Sequence, residues 1–219
     1  MKINITPFFD PDKLEHQSIR DSITHASSFI CGRLLDLGAG EKPYRQLFEN
    51  TEYFSIDIAV YGSKSPDVLG SALALPFKQD TFDTILCTQV LEHVNNPIIL
   101  FQEAHRVLRR HGHLILTAPQ LWPLHEEPQD YFRFTKYGLK LLAERSGFAV
   151  VSVVERRGSI AAIGQLIASF LYDRFKRYIF FRTIVKVFLA LFLEICSALD
   201  KVFYYPKLSL GYLLIARKS

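Results

Sequence analysis

The chain has 219 residues, 49% of them apolar, and a formal net charge of +4, which is enough for one full core and too little positive charge to argue for nucleic acid by itself. Cys31, Cys87 and Cys196 are far apart with no CxxC pair, which speaks against a disulfide frame or zinc finger and for a reducing compartment, with all three expected as core thiols. Asp10 and Asp12 stand where a secretion signal would need an apolar run, so a cytoplasmic protein is expected.

Pro7 and Pro11 keep residues 1–12 out of regular helix, and an extended segment is predicted there. From Lys13 to about Ile30, Leu14, Ile19, Ile23, Ala26 and Phe29 recur at near-helical spacing and predict an amphipathic helix. Leu34-Leu35-Asp36-Leu37 then reads as a buried strand running into the turn Gly38-Ala39-Gly40, where glycine permits positive φ and leaves out a Cβ that would hold a ligand off the backbone. Pro43 suits the first turn of a following helix, predicted over Tyr44 to Phe48. Such a turn aims amide groups and a helix dipole at a ligand above the sheet edge. A second strand, Tyr53 to Ile58, carries Asp57 at its tip, about the separation at which a carboxylate accepts both hydroxyls of an adenosine ribose.

After a loop at 61–66, short strand three is predicted over Asp67 to Leu69, and strand four over Phe82 to Cys87. Leu91 to Val94 leads to Asn95-Asn96-Pro97, which starts a helix reaching Leu108. His111-Gly112 turns the chain into strand five, His113 to Ala118. A helix runs from Lys136 to Ser146, strand six runs from Phe148 to Glu155, and Leu208 to Arg217 is a last strand antiparallel to it. Strand and helix in alternation mean a parallel sheet with helices on both faces.

Taken in order, LLDLGAG, YFSIDI, ALPFKQDTFDTILCTQVLEHV and EAHRVLRRHGHLILTAP make residues 34 to about 155 resemble a class I S-adenosylmethionine-dependent methyltransferase of the type 11 group. The resemblance implies an α/β fold with a Rossmann-like, seven-stranded, mostly parallel sheet, helices on both faces and an antiparallel last strand, whereas the helical insertion before that strand is this chain's own departure from the short hairpin usual there. It implies S-adenosyl-L-methionine as cofactor, with Asp36, Gly38, Ala39 and Gly40 at its methionine end. Asp57 and Ile58 would hold the ribose and adenine edge, Ser71 and Ala72 would lie by the adenine, and Gln89 would close the site from strand four. Ser71 stands where the family often has an acid, and a hydroxyl accepts the adenine amine more weakly than a carboxylate. A dinucleotide-binding domain shares the glycine turn and distal acid, but Pro43 replaces the third glycine of its fingerprint.

Methyl transfer asks the protein to align an acceptor and exclude water, which can supply roughly 7–11 kcal/mol, and a hydroxyl acceptor must also lose a proton. Two clusters follow strands four and five: Glu92-His93, and the long polar and aromatic loop from Leu124 to Thr135. That loop resembles the H-x-x-P-x-D-Y-x-R-F-T stretch of methyltransferases near polysaccharide and lipid-linked sugar pathways. Candidate bases are His125 and His93, with Asp130 as orienter and Tyr131 or Arg133 holding the acceptor. The competing reading makes Asp130 and Arg133 a structural pair, has Thr135 cap the next helix and gives His93 to a helix hydrogen-bonded to backbone. With no HExxH, no metal is expected.

Residues 158–206 interrupt a methyltransferase domain of 1–157 plus 207–219. Counted to Lys207, the stretch 158–207 contains seven basic and three acidic residues, so the whole charge excess lies there. A helix from Tyr178 to Phe203 would be about 39 Å long, greasy except for a stripe through Arg182, Lys186, Glu194, Ser197 and Lys201, and its charges at every turn argue against a transmembrane span. It suits peripheral contact with the inner membrane surface, or else a homodimer contact through residues 160–205 or a cap on the sheet. The expected function is O-methylation of a small or lipid-linked acceptor, a sugar or isoprenoid. The competing class is a non-catalytic scaffold assembled through the insertion.

Overall fold

A run of short apolar segments, each ending in a turn, builds one sheet in the computed structural model, which describes residues 8–62 and 65–219 apart from the side chains of 179–181. The strands are β1 (Arg33–Leu37), β2 (Glu52–Asp57), β3 (Val68–Leu69), β4 (Phe82–Thr88), β5 (Leu108–Pro119), β6 (Phe148–Arg156) and β7 (Gly211–Lys218), in the order β3-β2-β1-β4-β5-β7-β6. The first five are parallel, and β7 lies antiparallel between β5 and β6. The chain moves outward from β1 to β3 and then returns to place β4 on the other side of β1. The strand order therefore switches between β1 and β4, and a crevice opens there above their C-terminal ends.

Helices α1 (Lys13–His25), α2 (Pro97–Val107) and α3 (Lys136–Arg145) cover the sheet, and α4 (Ser159–Phe175) and α5 (Ile179–Val202) form a hairpin before β7. Leu35, Leu37, Ile85, Cys87, Leu114 and Leu116 pack against Leu100, Phe101, Ala104 and Leu139 on one side. Ile19 and Ile23 of α1, and Ala26 just after it, meet Leu34, Leu86, Ile115 and Leu213 on the other. Both faces of the central strands are thus apolar, as parallel strands require.

Several boundaries differ from expectation for local reasons. Of the predicted extended N-terminus, residues 1–7 lie outside the described residues and 8–12 form turns. The first helix stops at His25 rather than near Ile30, where Ser18, Ser22 and Thr24 turn their hydroxyls back onto carbonyls three or four residues earlier. A 3₁₀ turn, Ser27–Phe29, finishes the segment, and Cys31 is exposed, not a core thiol. After the glycine turn only a four-residue 3₁₀ helix forms, Arg45–Phe48, so it brings little dipole to the crevice. Strand β5 begins at Leu108, five residues early. His111 takes φ 65° and a Cβ on Gly112 would lie 2.9 Å from two backbone oxygens, so these residues make a bulge inside the strand instead of a turn before it.

The insertion holds two helices where one was expected. Leu14 of α1, Ala161, Ala162 and Ala168 of α4, Leu189 and Leu193 of α5 and Leu210 beside β7 share a core. A Cβ at Gly164 would lie 2.6 Å from Cys196 Sγ, so the glycine is what lets the two helices approach. Asp200 of α5, itself buried, accepts from the amides of Gly158 (2.7 Å), Ile160 (3.1 Å) and Ala161 (3.2 Å) and so caps α4 from across the hairpin. Among the described residues no helix is long and apolar enough to cross a membrane.

Candidate active site

The crevice at the strand switch is a cavity of about 480 Å³. Its β1–β2 side is made by Gly38, Gly40, Asp57, Ile58 and Ala72, and its β4 side by Gln89, Val90, His93, Glu126 and Tyr131. Gly38 and Gly40 take φ of 71° and 50°; a Cβ on Gly38 would strike Val90 at 2.2 Å, while nothing lies within 4 Å of one on Gly40. The turn is therefore closed beneath and open toward the cavity. Its amides are partly spent: Gly38 and Ala39 donate to the Ile56 carbonyl at 2.9 and 3.2 Å. Gly40 donates to Asp57 Oδ2 at 2.8 Å, while Ile58 donates to Oδ1 at 2.7 Å. The expectation of free amides above the sheet is replaced by a carboxylate held rigidly at the mouth of the turn, with lone pairs left for a ligand.

Three of the expected cofactor residues are not on the cavity wall. Asp36 is buried within the sheet and accepts from the Tyr53 hydroxyl; burial pushes its carboxyl up to about 6, against that hydrogen bond. Ala39 is buried beneath the turn. Ser71 turns its hydroxyl onto the Leu73 amide at 3.1 Å, leaving Gly70, Ala72 and Leu73 to face the cavity. That wall is fixed by a pair on α2 that sequence reading missed. Glu103 accepts from the Leu75 amide at 2.7 Å, and Arg106, bound to Glu103, donates to the carbonyls of Phe77 and Leu75 at 2.7 and 2.9 Å. The i,i+3 spacing of an acid and a base was the only signal for it.

Gln89 sits at the end of β4 with φ 54°, a conformation rare outside glycine. In one orientation its amide nitrogen donates to Glu92 Oε1 (3.2 Å) while its oxygen accepts from Arg156 (3.3 Å) and the Thr117 hydroxyl (3.0 Å). Glu92 is fully buried, with Oε2 unpartnered among the described residues, and burial pushes its carboxyl up to about 8. Arg156 itself pairs with buried Glu15 of α1 at 2.8 Å.

The loop between β5 and α3 is pinned from within. Arg133 spends its donors on Asp130, at 2.6 and 2.7 Å, and on the carbonyls of Trp122, Phe132 and Pro123. It therefore has no donor to spare for an acceptor, and the clamp holds the Asp130 carboxyl well below its usual range. Asp130 also accepts from the His125 amide at 3.0 Å and lies 3.3 Å from His125 Nδ1, so it both pairs with Arg133 and steers the imidazole. Thr135 caps α3 through the Gly138 amide. His93 Nδ1 meets the Gln129 carbonyl at 2.7 Å, and the two imidazoles pack edge to face with centroids 4.7 Å apart. His93 and Tyr131 line the cavity; His125 and Asp130 stand behind them.

Residues 35–116 match the family described as a methyltransferase domain. An uncharacterized protein of Methanocaldococcus jannaschii is 36% identical over 90 residues, which are 39% of this chain and 40% of the relative. The chain thus matches less than half the length of that relative. Among solved structures, an S-adenosylmethionine-dependent methyltransferase from Mesorhizobium loti superposes with a TM-score of 0.59 at 17% identity, covering 94% of this chain and 100% of that one. The 1,6-didemethyltoxoflavin-N1-methyltransferase of Burkholderia thailandensis, solved with its substrate and S-adenosylhomocysteine, gives 0.58 at 16% identity over 95% of this chain and 79% of that one. Residues 35–116 are therefore a methyltransferase domain of the type 11 group, and the sheet to which they belong has the class I S-adenosylmethionine-dependent methyltransferase fold.

Proposed function

We propose that the chain is an enzyme that transfers a methyl group from S-adenosylmethionine to a hydroxyl of a small or lipid-linked acceptor. The observation that carries this reading is the Asp57 carboxylate, anchored 2.8 Å from the Gly40 amide at the edge of a cavity of about 480 Å³. That volume lies within the range of pockets that enclose molecules of cofactor size. The fit is chemical as well. Asp57 offers acceptors to a ribose diol, the open side of Gly40 admits close approach, and Ile58, Ala72 and Leu73 offer apolar area to a purine.

The bound cofactor supplies a sulfonium whose methyl carbon is already electrophilic. The protein then holds the acceptor in line and keeps water out, with Tyr131 and Val94 bounding the acceptor side. The acceptor proton leaves toward the Glu92, His93 and His125 group at that side. Calorimetry with S-adenosylhomocysteine tests the reading. Micromolar binding that falls at least about 100-fold in Asp57→Ala is expected from the loss of charge-assisted hydrogen bonds. No heat at millimolar ligand would favour a non-catalytic scaffold instead.

A lipid-linked acceptor is favoured by the α4–α5 hairpin. Ile184, Phe188, Leu191, Ile195, Ala198 and Val202 form an exposed apolar stripe along α5, with exposed Arg174, Lys176, Arg177, Arg182 and Lys201 around its ends, a composition suited to an anionic membrane surface. The spacing of that stripe, alternating four and three residues, favours a second reading in which α5 pairs with a copy of itself.

A further inference from the structure

We infer that Glu92, His93 and His125, with Glu126 beside them, form a binding site for a divalent transition-metal ion, zinc before others, on the β4–β5 side of the cavity. Glu92, His93 and His125 each offer a ligand atom within 4.8 Å of the other two. His93 Nε2 lies 3.9 Å from Glu92 Oε1 and 4.0 Å from Glu126 Oε2. Ligand atoms around a tetrahedral zinc ion with bonds of about 2.0–2.1 Å stand roughly 3.4 Å apart, so small side-chain rotations close the set.

The imidazoles are prepared for the role. A carbonyl oxygen can only accept, so the 2.7 Å contact with Gln129 puts the proton of His93 on Nδ1 and leaves the lone pair on Nε2. His125 repeats the arrangement, with Nδ1 3.2 Å from the Pro123 carbonyl and 3.3 Å from Asp130, which is held by Arg133. Backbone carbonyl or carboxylate behind each ring is the support that orients and strengthens histidine ligands in metal sites. Glu92 adds an independent indication: its side chain is fully buried and its Oε2 has no hydrogen-bond partner among the described residues, an arrangement that a cation would satisfy. Two nitrogens and one or two carboxylate oxygens are a borderline ligand set that suits zinc and its neighbours better than magnesium or calcium.

The site stands on its own geometry; only its role rests on the methyl-transfer reading. There, a cation at the acceptor side would replace these side chains as the activating group: it would bind an acceptor oxygen and lower its hold on the proton, which would then leave to solvent, favouring acceptors with a free hydroxyl or phenol.

The test uses the full chain, stripped by chelator and dialysed against micromolar Zn²⁺, with metal content measured by mass spectrometry and the Co²⁺-loaded form read by visible absorption. About one ion per chain is expected, with intense cobalt bands, and with affinity at least tenfold lower in His93→Ala and in His125→Asn. Glu126→Gln, on the exposed loop, is a milder variant expected to fold normally and to shift the cobalt spectrum. Calorimetry with S-adenosylhomocysteine on the same samples reports separately on the cofactor pocket. If the wild-type chain holds no zinc, or if both histidine variants hold it as tightly as the wild type, the site is overturned whatever the cofactor does. Metal binding without cofactor binding would leave the site standing and remove the methyl-transfer reading.

Discussion

A single carboxylate, Asp36, shows how the same residue type takes different tasks a few ångströms apart. Asp57 at the strand tip keeps amide partners and faces the cavity, whereas Asp36, one strand over, is buried against the Tyr53 hydroxyl and pushed up to about 6. In the unfolded chain Asp36 ionises at 3.8, so between pH 3.8 and about 6 the folded state holds a proton that the unfolded state has released. Stability from this group therefore falls as pH rises through that window, and the full penalty, up to about 3 kcal/mol, is present above it. Asp36→Asn, which still accepts from Tyr53, should raise the urea midpoint at pH 7.5 and change it little at pH 4. A shift of equal size at both would sink the assignment. The sequence allowed Asp57 to be read because strand polarity and spacing alone fix a residue at a strand tip. It gave no sign that Asp36 meets Tyr53, because whether an acid in a strand points to the crevice or to a neighbouring tyrosine depends on a partner 17 residues away. His93 and His125 were legible as candidates but not as neighbours; the loop's Arg133 clamp and the His93–Gln129 contact bring them together.

Elements were legible where periodicity and punctuation agree, and blurred where they do not. Strand β4 and helix α2 fell where Asn96-Pro97 and the apolar run put them. Helix α4 was missed because Ala161, Ala162, Gly164 and Ala168 pack by smallness, with little contrast between faces to betray a helix. Its start has no side-chain cap of its own and depends on Asp200 from α5. Asp200→Ala should thus unfasten both helices at once. A loss of about 2 kcal/mol is expected for a buried cap of this kind, with faster hydrogen exchange at residues 158–162, whereas Asp200→Asn keeps an acceptor and should cost less. Unchanged exchange at α4 in Asp200→Ala would mean that the cap is dispensable. The Glu103–Arg106 pair is the corresponding fastener on the cofactor side, tying the segment around Leu75 to α2.

At the scale of the molecule, the strand switch between β1 and β4 determines where a ligand can sit, and the hairpin determines what the protein can sit on. The two are joined, because α1 carries Glu15 to Arg156 beneath Gln89 and Leu14 into the hairpin core, while Lys13 pairs with Glu194 of α5. Removing the hairpin would therefore expose Leu14 and Leu210 and confuse loss of contact with loss of fold. A cleaner test replaces only what points outward: Phe188, Ile195 and Val202 are 59%, 59% and 73% exposed, so changing all three to serine should alter stability by no more than about 1 kcal/mol. The same triple variant should lose flotation with anionic vesicles, or lose a concentration-dependent dimer in sedimentation. The salt response separates these outcomes: membrane contact guided by Arg174, Lys176 and Arg177 weakens as salt rises, whereas an apolar helix seam does not. A variant that floats and sediments like the wild type would show that neither a membrane nor a second copy covers this face.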